Sequence, residues 1–155
     1  MSEKIYKQKE GMVDTSQKQS TRRTAKASAE ITMNRAAFEA LLGNDSPKGD
    51  VLETAKVAGI MAAKSTSQII PMCHPLELSK VKMTYKINKT KRTLVLLSEV
   101  VCCGKTGVVM EALTAVSVAA LTVYDMMKWA DRSMTIGAVK LLHKEGGKSG
   151  DYHRT

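Results

Sequence analysis

The clearest periodic pattern in the chain is the alternation of apolar and polar residues from Val81 to Ile87. Such alternation is typical of a strand with one face in a core and the other in water. After the polar turn at 88–92, the segment Thr93–Val101 has the composition of a hairpin partner. Ser28–Met33 and Met134–Leu142 are predicted to form two further strands.

Helical spacing predicts three helices, two of which begin at a capping residue. Asn34 caps a helix that runs through Leu42 and ends at Gly43, and Asp50 caps the second helix. The third helix, from Thr106 to Ala130, is apolar on almost every side. The order β-α-α-β-β-α-β predicts an α+β fold of the ferredoxin-like, split β-α-β type, in which helices cover one face of an antiparallel sheet, with one extra helix.

Both ends of the chain have the composition of tails. Residues 1–27 are rich in Lys, Gln, Ser and Thr, so we expect a flexible N-terminal tail before a single domain at 28–145. Residues 146–155 are expected to form a flexible, glycine-rich C-terminal tail. Gly146–Gly150 resembles the end of a phosphate-binding P-loop, but Leu142 stands where that motif needs glycine. We therefore reject a P-loop and favour a frayed end over a segment that folds over an anion.

Charge and composition narrow the classes of partner. Lys and Arg number 24 against 15 Asp and Glu, a formal charge of +9 that suits an anionic partner. The basic residues are dispersed and aromatic residues are few, which disfavours a dedicated nucleic-acid binder. Met1–Gly11 lacks the apolar stretch of a secretory signal. The apolar stretch Ala112–Tyr124 is too short to span a bilayer. The three cysteines fit neither a disulfide framework nor a zinc site. We expect a cytoplasmic protein with no membrane segment and no metal.

The long third helix carries Glu111, Asp125 and Lys128 among apolar residues. A helix apolar on all sides is expected to be buried, and buried charges are costly unless paired or functional. Asp125 and Lys128 are three residues apart, so they can share a proton or form a structural ion pair. Glu111 lies roughly 21 Å from Asp125 along the helix. We therefore hypothesise that helices of two subunits pack antiparallel and bring Glu111 of one to Asp125 and Lys128 of the other.

Two loop segments offer further candidate groups. Cys73 and His74 lie between Pro71 and Pro75, which restrict the backbone and hold the imidazole in a narrow range of orientations for a substrate. A loop histidine bonded to the backbone explains the same segment equally well. Adjacent Cys and His side chains diverge, which disfavours a metal site. Lys48 precedes the second helix, where amide groups and an ammonium group can receive phosphate.

These motifs together resemble the MoaC family of cyclic pyranopterin monophosphate synthases, over almost everything from Met12 onward. The segments that carry the resemblance are Met12–Asp14, Lys18, Thr21, Arg23, Lys48–Asp50, Ala58–Ile60, Ala62–Lys64, Ile70–Leu76, Thr106–Val108, Met110–Thr114, Tyr124–Met126, Lys128 and Gly146–Gly150. So many motifs in the same order make coincidence implausible.

The resemblance implies a lyase of molybdenum cofactor biosynthesis that converts a guanosine-derived substrate, a cyclic dihydroguanosine triphosphate, into cyclic pyranopterin monophosphate and releases pyrophosphate. It also implies a homohexamer, a trimer of dimers with active sites between subunits, and no bound cofactor. By the family's pattern, Asp125 is the catalytic acid or base and Lys128 is its companion. The residues that the pattern assigns to substrate contacts are Met72, Cys73, His74, Met110, Glu111, Lys48, Lys64 and Arg23.

One position departs from the family's pattern, which reads Thr-Gly-Val-Glu-Met-Glu where this chain has Val109 in place of the first glutamate. If that glutamate moves a proton or orients the ring, the chain is a slowed or inactive variant. A different alternative is a basic, non-catalytic module that binds a polyanion or nucleic acid. It explains the charge and the two tails, but not the acid and the base on the apolar helix.

Overall fold

In a computed structural model that describes residues 11–155, five strands form one antiparallel sheet with helices packed on one face. The strands are β1 (Thr21–Thr32), β2 (Leu78–Asn88), β3 (Thr93–Gly104), β4 (Thr135–Glu145) and β5 (Tyr152–His153), and the helices are α1 (Arg35–Leu42), α2 (Val51–Lys64), α3 (Thr66–Ile69) and α4 (Val109–Met127). The strand order is β2-β3-β1-β4-β5, with every neighbouring pair antiparallel. The predicted α+β fold is confirmed.

Strand β1 begins earlier than the sequence predicted. The expected strand started at Ser28 and followed a tail, whereas β1 starts at Thr21, so residues 21–27 belong to the sheet. The apolar residues of this part, Ala25 and Ala27, are too small to signal a strand by hydrophobicity, yet both are fully buried. Residues 1–10, which the predicted tail also included, lie outside the described residues.

The C-terminal segment contains a short strand that the glycine-rich sequence did not indicate. β5 pairs with the end of β4, and His153 lies opposite His143. The turn between the two strands passes through Gly146 and Gly147 with φ angles of 92° and 87°. Glycine adopts this left-handed region without steric cost, which allows the chain to reverse.

Small residues let helices α2 and α4 approach the sheet and each other closely. The face of β1 beneath the helices is formed by fully buried Ala25, Ala27, Ala29 and Ile31. At the contact of the two helices, a Cβ added to Gly59 would lie 2.7 Å from Met83 Cε and 3.1 Å from the carbonyl oxygen of Ala115. α4 is therefore held between the sheet and α2, which fixes the positions of its two ends.

Only one side of α4 is fully buried, although the sequence predicted burial on all sides. The contact face consists of Ala112, Ala115, Val116, Ala119, Ala120 and Val123. On the other side, Leu121 is 58% exposed, and the side chains of Asp125 and Lys128 are 52% and 50% exposed. Predicted burial is confirmed for Glu111, which is 4% exposed, and is wrong for Asp125 and Lys128 in the single chain. A helix that contacts a sheet and one neighbouring helix keeps a third side uncovered.

Among the described residues, α4 is the one helix that is long and apolar enough to cross a membrane by length and composition. This finding corrects the expectation that its apolar stretch is too short. The core helix of a folded domain meets the same criterion. Because α4 packs against β1, β3 and α2, we interpret it as a core helix.

Candidate active site

Five of the residues predicted to contact substrate meet at the N-terminal end of α4. They line a cavity of about 300 Å³, together with Val109 and part of the N-terminal segment, and they are Met72, Cys73, His74, Met110 and Glu111. We call this cavity the Glu111 pocket. The loop before β2 supplies three of the five and the first turn of α4 supplies two, so the fold joins two motifs that are distant in sequence.

The loop before β2 is fixed by backbone hydrogen bonds on both sides of the pocket. Cys73 N–H donates to the carbonyl of Ile70 at 3.1 Å, and His74 Nε2 lies 2.7 Å from the carbonyl oxygen of Val13. Because a carbonyl oxygen only accepts, Nε2 carries the proton of this hydrogen bond. His74 is therefore both a backbone-bonded loop histidine and a wall of the pocket, and Val13 ties the N-terminal segment to it.

Glu111 is the buried acid of the pocket. Burial raises the pKa of this carboxyl above its ordinary value of 4.5, because desolvation disfavours the charged form, and a hydrogen bond with its own backbone N–H opposes part of this effect. Burial also raises the pKa of the Cys73 thiol, with the charge of Glu111 as a second cause. Both groups are therefore biased towards their protonated forms.

A larger cavity of about 790 Å³ adjoins the Glu111 pocket, and the two share Lys18, Thr106 and Gly107. Four cationic side chains line it, namely Lys18, Arg23, Lys144 and Lys148. We call it the cationic cavity. Converging ammonium and guanidinium groups are suited to bind the oxygens of a polyphosphate.

Arg23 lies beneath the glycine pair of the β4–β5 turn. Its residue exposure is 9%, Nη2 donates to the carbonyl of Lys105 at 3.3 Å, and Nε has no hydrogen-bond partner within residues 11–155. A Cβ on Gly147 would collide with Nη1 of Arg23, and a Cβ on Gly146 would collide with the carbonyl oxygen of Arg22. The glycine pair thus lets the turn close over Arg23. Gly147 forms part of the cavity wall, so this turn lies against the domain, while the predicted flexibility of residues 146–155 stays a prediction.

The C-terminal end of α4 carries a separate group of charges, Lys48, Asp125 and Lys128, which we call the Asp125 cluster. Lys128 Nζ donates to Asp125 Oδ1 and Lys48 Nζ donates to Asp125 Oδ2, each at 2.7 Å. These hydrogen bonds, that of Lys128 first, lower the pKa of Asp125 from 3.8 to about 2. All three side chains are about half exposed. The cluster keeps one carboxylate ionised between two ammonium groups.

The family model of MoaC matches residues 12–147 of this chain. The chain belongs to the MoaC family. A Campylobacter lari protein named cyclic pyranopterin monophosphate synthase is 54% identical over 144 residues, which cover 93% of this chain and 92% of the relative. Proteins of the same name from Staphylococcus haemolyticus and Magnetococcus marinus are 54% and 50% identical, and the matches cover 92% of this chain and 91% and 88% of the relatives. The resemblance found in the motifs is confirmed.

The structure divides the predicted site residues into separate groups. Arg23 adjoins the Glu111 pocket, whereas Lys48, Asp125 and Lys128 lie at the other end of α4. Lys64 joins neither group: it is exposed at the end of α2 and lines a groove of about 430 Å³ beside the start of β2. Within one chain, the residues predicted to share a site therefore do not all meet.

Three lysines of the cationic cavity were not among the predicted site residues. Lys18 belongs to the motifs that carry the MoaC resemblance, and Lys148 belongs to the glycine-rich segment, so both had a signal in the sequence. Lys144 had none, because its place in the cavity depends on the pairing of β4 with β1 opposite Ala25.

Proposed function

We propose that this MoaC chain converts a cyclic dihydroguanosine triphosphate into cyclic pyranopterin monophosphate, with release of pyrophosphate, as a lyase of molybdenum cofactor biosynthesis. The observation that carries the proposal is the continuity of the Glu111 pocket with the cationic cavity. A buried acid in a pocket that adjoins a cavity lined by four cations suits a substrate whose rings are rebuilt next to a triphosphate. Identity of 50% to 54% with relatives named for this activity, over 88% and 92% of their length, supports the same reaction.

In this proposal the cationic cavity holds the triphosphate and stabilises the departing pyrophosphate. Negative charge grows on the leaving group as its phosphorus–oxygen bond breaks, and fixed cations lower the energy of that state. Arg23 suits the task because its guanidinium is held in place and its buried Nε donor is unpaired among the described residues. Lys18 and Lys144 supply further ammonium groups in the same cavity, and Lys144 Nζ donates to Ser149 Oγ at 2.7 Å.

The Glu111 pocket holds the purine-derived rings and supplies proton transfer. Opening one ring and closing another requires protons to move between ring nitrogens, carbons and side chains, and a carboxyl of raised pKa suits this work near neutral pH. Met72 and Met110 provide flexible apolar walls, while Cys73 and His74 provide polar contacts at the ring edge.

The Asp125 cluster reaches the same substrate only from a second subunit, since it lies roughly 21 Å along α4 from Glu111. A stripe at helical spacing on the uncovered side of α4 comprises Met110, Leu113, Ser117 and Leu121. Two such stripes can pack antiparallel about the small Ser117, which places each Glu111 pocket beside the partner's cluster. We therefore propose shared sites in a dimer, assembled as a trimer of dimers in the cytoplasm.

Subunit mixing tests both the reaction and the shared site. Each of the single variants Asp125→Asn and Glu111→Gln is expected to lose pyrophosphate release. When the two variants are co-expressed, about half of the dimers contain one subunit of each kind. One of the two sites in such a mixed dimer combines an intact Glu111 with an intact Asp125, which restores about a quarter of wild-type activity. The matched control combines Asp125→Asn with Lys128→Ala, which lie at the same end and cannot complement each other. Mixed assemblies as inactive as their parents would contradict shared sites.

A basic module that binds nucleic acid or another polyanion is the competing function. It predicts tight, salt-sensitive RNA binding and no release of pyrophosphate from the cyclic triphosphate. The Asp125 cluster argues against this function, because a carboxylate between two lysines reduces the positive charge available to a polyanion. Turnover by the wild-type chain would exclude it.

A further inference from the structure

Two histidines outside the proposed active site face each other across strands β4 and β5. His143 and His153 are directly opposite in register. Their Nδ1 atoms lie 3.0 Å apart, and their ring centroids lie 4.3 Å apart with an interplanar angle of 46°. Two imidazole nitrogens that each bind one tetrahedral ion at about 2.0–2.1 Å lie about 3.3–3.4 Å apart. The hydrogen-bonded Nδ1 atoms therefore need to separate only slightly to reach the spacing of two ligands of one metal ion.

Glu145 fixes the tautomer of the inner histidine. Its Oε2 lies 3.1 Å from His143 Nε2, and its Oε1 accepts from Arg22 Nη1 at 3.3 Å. Because the carboxylate accepts the Nε2 proton, the neutral His143 ring presents the lone pair of Nδ1 to His153. A carboxylate that orients a histidine through its other nitrogen is the usual second partner of a metal-binding imidazole.

We propose that Nδ1 of His143 and Nδ1 of His153 bind one divalent transition-metal ion such as Zn²⁺, with Glu145 as a positioning residue. Imidazole suits zinc, nickel and copper, whereas magnesium and calcium prefer oxygen ligands. Within residues 11–155, no group of three or more His, Cys, Asp and Glu side chains is arranged to hold a metal. Water therefore completes the coordination shell, and the affinity is modest.

Cations near the pair weaken metal binding without blocking it. Lys26 lies opposite His143 on β1, but its Nζ is 3.7 Å from Glu99 Oε2. Arg154 follows His153 directly, and its Nε donates to the carbonyl of Leu141 at 2.7 Å. Glu99 partly balances the charge of Lys26, Arg154 is held by a neutral carbonyl, and Glu145 is itself paired with Arg22 at 3.3 Å.

A bound ion would tie β5 to β4 and close the turn between them. That turn contains Gly147, Lys148 and Ser149 of the cationic cavity wall, and Lys144 Nζ donates to Ser149 Oγ at 2.7 Å. The metal would thereby stabilise one wall of the cavity from outside it. Metal binding itself does not depend on the proposed reaction, so each can fail without the other.

The test is a titration of metal-free, full-length protein with Zn²⁺, followed by calorimetry and by NMR of ¹⁵N-labelled imidazoles. The chain has three histidines. We expect saturable binding of one ion that shifts the resonances of His143 and His153, and no such shift with Mg²⁺. Glu145→Gln should weaken the affinity by about 10- to 100-fold. His153→Gln should weaken it at least as much, while the matched control His74→Gln should keep it.

Two results would overturn the proposal. One is an unchanged affinity in His153→Gln, and the other is binding of Zn²⁺ elsewhere on the chain with no change at either paired ring. The second result would leave His143 and His153 as a hydrogen-bonded pair only. His153 is exposed on a two-residue edge strand, so its replacement leaves the core intact and the comparison remains valid.

Discussion

At the N-terminal end of α4, Glu111 is 4% exposed and burial raises its pKa. At the C-terminal end of the same helix, the Asp125 side chain is 52% exposed, and hydrogen bonds from Lys128 and Lys48 lower its pKa to about 2. The first carboxyl is controlled by loss of water and the second by neighbouring charge. One helix thus carries a carboxyl biased towards its neutral form and another that stays ionised.

The difference suggests complementary roles for the two ends. Carboxyl groups whose surroundings push their pKa values apart are typical of an acid and a base that act in one reaction. In the proposed dimer, Glu111 of one subunit and Asp125 of the other face the same substrate. Packing of the second subunit would also remove water from Asp125, so that it becomes a stronger base than it is in the single chain.

The largest effect is expected from Asp125→Asn, which keeps the shape of the side chain and removes its charge. If Asp125 transfers a proton in the proposed reaction, kcat falls by about 10²- to 10⁴-fold. The measurement is pyrophosphate release by the full-length chain at saturating substrate. Glu39→Gln is the matched control, because Glu39 also accepts from a cation, Arg35 at 2.8 Å, but lies on α1 away from the site. Equal losses of kcat in Asp125→Asn and Glu39→Gln would contradict a specific role of Asp125 in the reaction.

A smaller effect is expected at the N-terminal end from Val109→Glu. Val109 lines the Glu111 pocket, so a glutamate there places a second carboxyl beside the substrate, as in the MoaC pattern. We expect product formation to rise about a hundredfold, the low end of what a general acid–base group contributes, because Glu111 already supplies one carboxyl in this pocket. Val109→Gln, which has the same length and no charge, should not raise it. An unchanged rate in both variants would mean that Glu111 alone suffices.

Features set by local chemistry were predictable from the sequence. Asn34 accepts from the N–H of Ala37 and Asp50 accepts from the N–H of Glu53, as N-caps do, and Gly43 ends α1. The alternation in β2 likewise marks a half-exposed strand. In each case the residues that decide the structure lie within a few positions of one another, so one segment contains the whole signal.

Features set by distant contacts were not predictable in this way. The start of β1 depends on pairing of Thr21 with Gly104, and β5 depends on pairing of His153 with His143. The cationic cavity forms only where these strands bring Lys144 beside Arg23. The exposed side of α4 was not predictable for the same reason. The sequence of an apolar helix does not indicate whether the helix is covered by its own chain or by a second subunit.

A third prediction concerns stability rather than rate. The pKa of Glu111 is higher in the folded chain than its ordinary value of 4.5, so the folded state binds this proton more tightly than the unfolded state does. The resulting stabilisation is complete below pH 4.5 and is lost as the pH rises through the folded pKa. Glu111→Gln has no carboxyl group that titrates at this position, so it does not lose this stabilisation. Its free energy of unfolding should therefore increase relative to that of the wild type as the pH rises. Urea denaturation at several pH values measures both curves, and parallel curves would contradict the burial of an ionisable acid.

The smallest effect is expected from Lys48→Met at the opposite end, where one donor to Asp125 Oδ2 is lost and Lys128 remains. The pKa of Asp125 should rise from about 2 towards its ordinary value of 3.8, as followed by ¹³C NMR of the carboxyl group. The lowered pKa of Asp125 stabilises the fold above pH 3.8, and this stabilisation is lost as the pH falls towards 2. Lys48→Met has less of it to lose, so its free energy of unfolding should fall less than that of the wild type in this range. Lys56→Met removes a partly exposed lysine partner from Glu53 and should leave the pKa of Asp125 unchanged. If Lys48→Met also leaves it unchanged, Lys128 alone keeps this carboxyl ionised, and the contrast between the two ends of α4 needs only one lysine.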